Sequence, residues 1–448
     1  MDYISNTAAE RNKMLKEIGV EAVEDLFKMI PEEVSANDEL NIAEGISELE
    51  LMRTAKAAAR ENKSLDELTS FLGAGAYDHY VPGIIDSLIS RSEFYTAYTP
   101  YQAELSQGTL EAIYEYQSMI SELTGMGIAN ASMLDGGSAA AEAVTMGARI
   151  SRRSKVLLPD TIHPAYREII KTYGAGSDLK FVEIENENEI IDPAKIEENL
   201  DDQTAVVVLQ YPNFYGSIEK MEEISKIVKN NKKTNFIVIA NPLLLGVLKP
   251  PSVFGADIVV GEAQNLGSGL NYGGPYLGFM ACKDDRKMLR QLPGRIVGKT
   301  KDVEEKEGFV LTLQTREQHI RRAKATSNIC TNEALNALMA TIYLSTMGKE
   351  GLKEVGAQCY HKAHYLAEKI DQLSGFEVVN KENFFHEFVL KTEKNSTELL
   401  EKLIEKDIIA GYNLKELDKE NRDRILVCVT EKRTKAEMDK LVEKLEVL

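Results

Sequence analysis

Four short apolar runs constrain the fold of this chain more than any other feature of its sequence. They are KVLLP from Lys155, AVVVLQ from Ala205, FIVIA from Phe236 and DIVVG from Asp257. Each run is continuously apolar and rich in β-branched residues, so both faces of each strand are expected to be buried. Because helical patterns such as SIEKMEEISKIVKN lie between the runs, the sequence predicts an α/β protein with a mostly parallel sheet covered on both sides. Functional groups are then expected at the carboxyl ends of the strands.

The regions on either side of these strands predict two further units. Capping boxes at Thr7 (TAAE) and Ser64 (SLDE) indicate helix starts, so residues 1–75 are predicted to form a helical N-terminal extension. Residues 76–347 are assigned to the large domain that contains the parallel sheet. Residues 348–448 combine helical patterns with the strand candidates FEVV, FFHEFVLK and RILVCVT, which predicts a small C-terminal α/β domain.

Composition and spacing exclude several classes of function. The formal net charge of -18 opposes a general affinity for nucleic acid. The apolar runs are too short to span a membrane and the N-terminus lacks the apolar core of a signal peptide, so a cytoplasmic location without a membrane partner is expected. His361, His364 and Glu368 share a helical face, but no further ligand has a recognisable spacing, so no metal site is predicted. The cysteines form no CxxC pair and indicate neither disulfides nor a zinc ribbon; they are Cys282, Cys330, Cys359 and Cys428.

A glycine turn precedes an alanine-rich helix in MLDGGSAAAEAVTMGAR. Free backbone N–H groups and the helix dipole at such a position favour a phosphate or a carboxylate. An ordinary glycine turn before a packed helix accounts for the same residues equally well. The candidate anion-binding residues are Gly136, Gly137 and Ser138.

A tyrosine-rich run, FYTAYTPYQAELSQG, has neither a helix nor a strand period and indicates a recognition segment, with an interface loop as the alternative. Its polar side chains are Tyr95, Tyr98, Tyr101, Gln102 and Gln107. The run leads into a periodic apolar pattern that predicts a helix over residues 106–123, ended by Gly125. In the preceding YDHYVP, His79 is suited to orient an amine or a carboxylate, or to lie as a satisfied, partly buried ring.

Three long blocks carry a resemblance to a known family. They are TAYTPYQAELSQGTLEAIYEYQSMISELTGMGIANASMLDGGSAAAEA, VGEAQNLGSGLNYGGPYLGF and GRIVGKTKDVEEKEGFVLTLQTREQHIRRAKATSNICTN. In content and order they closely resemble the glycine-cleavage-system P-protein, the pyridoxal-phosphate-dependent glycine decarboxylase, and the resemblance covers essentially the whole chain. The chain is most similar to the first of the two subunits found where that enzyme is split into separate polypeptides. The resemblance implies the aspartate-aminotransferase-like fold, which is fold type I of the pyridoxal-phosphate enzymes.

The resemblance also raises the question of which subunit carries the cofactor. Decarboxylation of glycine needs an electron sink that no side chain provides. A catalytic half of this fold offers a Schiff-base lysine after the DIVVG-type strand and an aspartate at the end of the preceding strand. Here no lysine occurs between Lys249 and Lys283, and Asn241 is the polar residue that follows FIVIA. The resemblance therefore implies that the partner subunit binds pyridoxal phosphate covalently and that this chain does not. The alternative is that Lys249 or Asp257 has taken over a cofactor-binding role from a neighbouring position, which strand geometry disfavours.

The resemblance implies partners and site residues as well. The partners are the second, cofactor-bearing subunit in an α2β2 assembly, glycine as substrate, and a lipoylated H-protein that accepts the aminomethyl group. The segment from Tyr77 to Gln107 is expected to enter the partner's cleft and to orient the glycine carboxylate or the cofactor. The residues carried over from the family's matching motif are His79, Tyr98, Thr99, Tyr101 and Gln102.

A stretch of positive charge on this acidic chain suggests a docking surface for the H-protein. The candidate docking residues are Arg316, Arg321, Arg322 and Lys324, with Arg295, Lys299, Lys301 and His319 in the same stretch. Pairing with internal carboxylates or with the partner subunit explains the same charges equally well. Two other functions stay open: a self-sufficient pyridoxal-phosphate enzyme that acts on another amino acid, and a purely structural assembly subunit.

Overall fold

The computed structural model describes residues 5–35, 41–418, 420 and 422–448. The chain divides into two compact units, Met1–Lys63 and Ser64–Leu448. The domain boundaries placed at residues 75 and 347 from the sequence stay predictions. Among the described residues, no helix combines the length and the apolar character that crossing a bilayer requires.

The first unit contains the helices α1 (Ala8–Ile18) and α2 (Glu48–Ala59). Both start at a capping box, in which the Thr7 or Ser47 hydroxyl accepts a backbone N–H bond and a glutamate reaches back to the cap. The helix predicted to start at Ser64 does not form. Residues 64–68 make a single turn, because the chain then enters a short strand, Thr69–Ser70, that pairs with Ile408–Ile409.

The second unit alternates helices and strands. Its helices are α3 (Ile84–Ile89), α4 (Ser92–Tyr95), α5 (Gln107–Thr124), α6 (Gly136–Ser151), α7 (Pro164–Ala175), α8 (Pro193–Asn199), α9 (Met221–Asn230), α10 (Arg286–Gln291), α11 (Gln318–Arg321), α12 (Ala334–Ile370), α13 (Ser396–Ile404) and α14 (Lys435–Val447). Its strands are β1 (Thr69–Ser70), β2 (Ile128–Ala129), β3 (Lys155–Pro159), β4 (Lys180–Ile184), β5 (Thr204–Tyr211), β6 (Asn235–Ala240), β7 (Ile258–Glu262), β8 (Gly278–Cys282), β9 (Ile296–Lys301), β10 (Glu307–Thr312), β11 (Phe376–Val378), β12 (Glu387–Thr392), β13 (Ile408–Ile409), β14 (Tyr412–Asn413) and β15 (Arg424–Cys428).

The central sheet confirms the fold predicted from the four apolar runs. Over the described residues it has seven strands in the order β2-β8-β7-β6-β5-β3-β4. The neighbours from β4 to β7 are parallel, whereas β8 is antiparallel to β7 and to β2. The four runs are β3, β5, β6 and β7. Their carboxyl ends therefore lie along one edge of the sheet, where a site is expected.

Alternate residues of the parallel strands enter two separate cores, which explains why the runs are apolar throughout. Val238 on β6 packs in the core that includes Tyr343 of α12. Its neighbour Ile237 packs in the core that includes Val144 of α6. Helices therefore cover both faces of the sheet.

The elements beyond the central sheet hold the residues that meet its carboxyl edge. Helix α5 ends at Gly125, which has a φ of 68°, as the periodicity predicts. The long helix α12 is interrupted at Gly348 (φ 57°) and leads to a second sheet of β11, β12, β15 and β14. We call the latter the C-terminal sheet. Its strand β12 begins at Glu387, which contacts the segment that follows β1.

Candidate functional site

A small cavity lies at the carboxyl ends of β6 and β7, where this type of sheet binds ligands. Its volume is about 40 Å³. Ligand sites in proteins are usually about 300 to 1,000 Å³, whereas a single water needs roughly 10 to 15 Å³. The cavity therefore has room for a few water molecules and not for a cofactor. The residues that determine its chemistry are Tyr77, His163, Asn241, Glu262, His386 and Glu387.

Two asparagine side chains meet beside this cavity. Asn241 follows β6 and Asn265 lies three residues after β7. The Asn265 Nδ2 donates a hydrogen bond of 2.6 Å to the Asn241 Oδ1. A neutral amide pair thus stands at the strand ends where a lysine and a carboxylate would be needed to hold a pyridinium cofactor. Asn241 was identified from the sequence, whereas Asn265 was missed.

The N-terminus of α6 is closed by carboxylates of the same chain. The Gly136 N–H donates to Glu262 Oε2 (3.0 Å), and the Ser138 N–H donates to Asp135 Oδ1 (2.7 Å). The other oxygen of Glu262 accepts the N–H groups of Gln264 (3.1 Å) and Leu277 (2.9 Å). Burial raises the pKa of Glu262, and these N–H bonds only partly oppose the rise. Two of the N–H groups that would attract a phosphate are therefore already bonded within the chain, and anion binding at Gly136, Gly137 and Ser138 stays a prediction.

These residues do not fit a covalently bound pyridoxal phosphate. No lysine occurs between positions 249 and 283, and Asn241 offers no charge to a ring cation. The cavity is too small, and the helix N–H groups are bonded to Glu262 and Asp135.

His79 lies in a buried contact with the turn between β15 and α14. Its Nδ1 is 2.6 Å from Glu431 Oε2, and the Tyr80 N–H donates to Glu431 Oε1 at 2.7 Å. The adjacent Asp78 pairs with Lys432 (2.6 Å) and Arg433 (3.2 Å). Burial alone would raise the pKa of Glu431, but the hydrogen bond and the charge of His79, together with backbone N–H bonds such as that of Tyr80, outweigh it and hold the pKa at about 2. The segment 78–80 is thus joined to the turn 430–433 by charge.

A second buried carboxylate, Glu387 of the C-terminal sheet, binds residues of the segment 74–77, which comes just before His79 in the chain. It accepts hydrogen bonds from the Ala74 N–H (2.7 Å) and the Tyr77 hydroxyl (2.9 Å). Burial raises the pKa of Glu387 to about 7, and burial lowers that of the neighbouring His386 to about 3. Neither pKa shift could be predicted from the sequence, because both depend on burial.

The raised pKa of Glu387 predicts a measurable dependence of stability on pH. Its folded-state pKa lies above its ordinary value of 4.5, so the folded chain binds more protons than the unfolded chain between these values. The stability contributed by Glu387 is therefore lost as the pH rises through this window. In the wild type this loss is about 3 kcal/mol of unfolding free energy. The variant Glu387→Gln cannot titrate but can still accept the Ala74 N–H, so we expect its stability not to fall in this way as the pH rises. Urea unfolding from pH 4.5 to 8 checks it, and parallel profiles of the two proteins would contradict it.

The tyrosine-rich segment borders a larger cavity of about 230 Å³. Tyr98 and Thr99 line this cavity together with Asn332 and Leu335. The Tyr98 side chain is 82% exposed. Tyr101 is also exposed, and its hydroxyl accepts a hydrogen bond from Arg295.

The structure thus brings only part of the predicted set together. Tyr98 and Thr99 lie at the 230 Å³ cavity, and Gln102 is exposed close to them in the chain. Gln107, at the start of α5, exchanges two hydrogen bonds with the backbone of Phe309. His79 does not line this cavity, because its ring is buried against Glu431.

The predicted docking residues differ in their surroundings. The Arg316 guanidinium donates to the carbonyls of Leu313 (3.1 Å), Gly294 (3.0 Å) and Leu292, so it is engaged inside the chain. Residues 319–324, which include Arg321, Arg322 and Lys324, are all exposed. A docking role for the basic residues stays a prediction.

Solved structures of low sequence identity define the class of the fold. A glutamate decarboxylase from Lactobacillus brevis matches with a TM-score of 0.68, at 12% identity over 95% of this chain and 96% of that one. A C-DES mutant described with glycine covalently linked to its pyridoxal-phosphate cofactor matches with a TM-score of 0.60, at 14% identity over 85% of this chain and 97% of that one. Together with the sheet order, these likenesses define an α/β protein with the fold of the type I pyridoxal-phosphate enzymes.

Closer relatives define the family. Residues 1–445 match the family model described as glycine cleavage system P-protein. Proteins named probable glycine dehydrogenase (decarboxylating) subunit 1 from Carboxydothermus hydrogenoformans and Desulfitobacterium hafniense are each 51% identical over 99% of this chain and over 99% and 98% of their own lengths. The crystal structure of a glycine decarboxylase (P-protein) of the glycine cleavage system, in inhibitor-bound form, matches with a TM-score of 0.91 at 38% identity over the whole of both chains. The chain belongs to the glycine cleavage system P-protein family.

Proposed function

We propose that this chain is the first subunit of a two-subunit glycine dehydrogenase (decarboxylating), and that it completes an active site whose cofactor is held by the second subunit. Full-length relatives that carry the name subunit 1 support a partner subunit. The observation that supports placing the cofactor on the second subunit is the amide pair of Asn241 and Asn265 beside a 40 Å³ cavity in this chain. The pyridoxal phosphate bound to the partner supplies the electron sink for decarboxylation.

The contribution of this chain to the shared site is the tyrosine-rich segment. Tyr98 and Thr99 lie at the surface of a cavity, and their side chains make no hydrogen bond to other described residues, so they are available to a ligand or a partner. We assign to them, with Tyr101 and Gln102, the orientation of the glycine carboxylate or the cofactor. His79 contributes by holding the start of the segment at Glu431.

The aminomethyl product is proposed to pass to the lipoyl arm of H-protein. The exposed basic residues among 319–324 suit a docking surface for an acidic partner, because they concentrate positive charge on a chain of net charge -18. Arg316 contributes to this surface by shaping its backbone. The assembly is proposed to be an α2β2 heterotetramer in the cytoplasm.

Reconstitution tests the proposal. We expect the isolated chain, mixed with pyridoxal phosphate, to show neither the visible absorption of a lysine-bound cofactor nor a label trapped by borohydride. Addition of the second subunit is expected to give glycine–bicarbonate exchange that neither subunit gives alone. A trapped label on a lysine of this chain would overturn the division of labour, and full exchange by the second subunit alone would reduce this chain to an assembly role.

A further inference from the structure

A buried arginine lies directly behind the tyrosine-rich segment. Arg295 is 4% exposed, and its guanidinium donates to the Tyr101 hydroxyl at 3.0 Å and to Asn332 Oδ1 at 3.3 Å. Its Cζ lies 5.2 Å from the centre of the Tyr101 ring, which is within the range of a cation–π interaction. Arg295 therefore holds both the hydroxyl and the ring of a side chain that is 55% exposed.

The charge of Arg295 is only loosely compensated within the chain. The nearest described carboxylate oxygen is Glu317 Oε2, 4.0 Å from the Arg295 Nε, which has no hydrogen-bond partner among the described residues. Burying a cation without a close carboxylate is costly. A requirement to fix Tyr101 accounts for this arrangement, because two of the five guanidinium donors are directed at Tyr101 and at Asn332.

The base of this contact is rigid. Arg295 immediately precedes β9, and its carbonyl accepts the N–H of Ala131 at 2.9 Å. Asn332 donates to the carbonyl of the same Ala131 at 3.3 Å. Because Ala131 follows β2, the edge strand of the central sheet, Arg295 and its partner Asn332 are both anchored to the sheet.

Fixing Tyr101 also fixes the residues before it. The Tyr101 N–H donates to the Thr99 carbonyl at 2.9 Å across Pro100, which is the bond pattern of a γ-turn. The proline ring restricts the backbone at the centre of this turn. Tyr98 and Thr99, which have no side-chain bonds of their own to described residues, thus depend on Tyr101 for their placement.

We propose that Arg295 is a positioning residue for glycine decarboxylation, which acts through Tyr101 to hold Tyr98 and Thr99 in their working geometry. This inference rests on the proposed function, because it requires the tyrosine-rich segment to take part in the shared site. Arg295 itself does not touch the substrate or the cofactor. Its effect is therefore on the turnover of bound glycine, not on the assembly of the complex.

The test measures kcat and KM for glycine–bicarbonate exchange in the complete two-subunit complex. Arg295→Met is expected to lower kcat about 10-fold with little change in KM, because a displaced turn misplaces reacting groups. Arg295→Lys keeps the charge but loses the planar arrangement of guanidinium donors, and its kcat is expected to lie between those of Arg295→Met and the wild type. Arg286→Met, at an exposed arginine of α10, is the matched control and is expected to leave kcat unchanged.

A double-mutant cycle separates positioning from a general structural role. Tyr101→Phe removes the hydroxyl that Arg295 binds, so the double variant is expected to lose no more activity than Arg295→Met alone. Multiplicative losses, or a kcat of Arg295→Met within twofold of the wild type, would overturn the inference. The inference would also be overturned if Arg295→Met and Arg295→Lys lowered kcat equally and in proportion to their fall in the urea midpoint of unfolding.

Failure of the inference is distinguishable from failure of the proposed function. If the proposed function is wrong, the wild-type chain adds nothing to the exchange activity of the second subunit, whatever residue stands at 295. If only the inference is wrong, the wild-type complex is active, and Arg295→Met either matches it or gives one of the contradicting patterns above.

Discussion

Replacement of Glu431 by alanine is expected to lower the free energy of unfolding of the second unit by about 3 to 5 kcal/mol at pH 7, the range found when one partner of a buried ion pair is removed. The Glu431 side chain is 10% exposed and receives His79 Nδ1 at 2.6 Å and the Tyr80 N–H at 2.7 Å. The substitution leaves the buried His79 ring and the backbone N–H of Tyr80, an exposed residue, without their acceptor. Urea unfolding of the purified chain, followed by far-ultraviolet circular dichroism, measures the change.

The pH dependence of this difference identifies the carboxylate as its source. The folded-state pKa of Glu431 is about 2, below its ordinary value of 4.5. Its contribution to stability is therefore complete above pH 4.5 and is lost as the pH falls toward 2. Glu446→Ala, at an exposed glutamate of α14, is the control and is expected to change stability by less than about 0.5 kcal/mol. Two results would contradict the assignment: a stability difference between wild type and Glu431→Ala below about 1 kcal/mol at pH 7, or a difference that stays constant between pH 5 and pH 2. The threshold of about 1 kcal/mol is the contribution of an ordinary exposed ion pair.

The parts of the fold that follow from local patterns were predictable. The runs KVLLP, AVVVLQ, FIVIA and DIVVG form parallel strands because a strand covered on both faces must be apolar throughout. The periodicity over residues 106–123 forms α5, and Gly125 ends it in the left-handed conformation. The capping pair at Ser64 shows the limit of such patterns, since pairing of Thr69–Ser70 with Ile408–Ile409 leaves no room for a helix there.

The parts of the site that depend on distant contacts were not predictable. His79 and Glu431 are 352 residues apart in the sequence, so nothing in YDHYVP indicates the partner of the histidine. Glu262 and Gly136 are 126 residues apart, and only the fold places that carboxylate at the glycine turn. Asn265 lies inside the lysine-free loop that the sequence analysis had identified. Its position three residues after a strand that ends at the expected site edge was the signal that would have found it.

Removal of the Tyr98 side chain is expected to have the largest effect on activity. The side chain is 82% exposed and makes no hydrogen bond to other described residues, so Tyr98→Ala is expected to leave the unfolding of the isolated chain unchanged. In the complex with the second subunit, the same variant is expected to lower glycine–bicarbonate exchange about 100-fold, because an oriented group at the site is lost. Tyr98→Phe keeps the ring and removes the hydroxyl, so it distinguishes the contribution of each to the exchange activity. Tyr173→Ala, at an exposed tyrosine of α7, is the matched control and is expected to retain full exchange.

Only a residue that acts in trans shows this contrast, with no effect on the stability of the folded chain and a large effect on the activity of the assembled enzyme. Size-exclusion chromatography of each variant with the second subunit establishes that the complex forms, so a loss of exchange cannot be a loss of assembly. If Tyr98→Ala forms the complex and exchanges bicarbonate at the wild-type rate, the tyrosine-rich segment lies outside the site. The exposed Tyr98 and the half-buried Thr99, which line a 230 Å³ cavity, would then belong to an assembly surface, and the function of the chain would be structural.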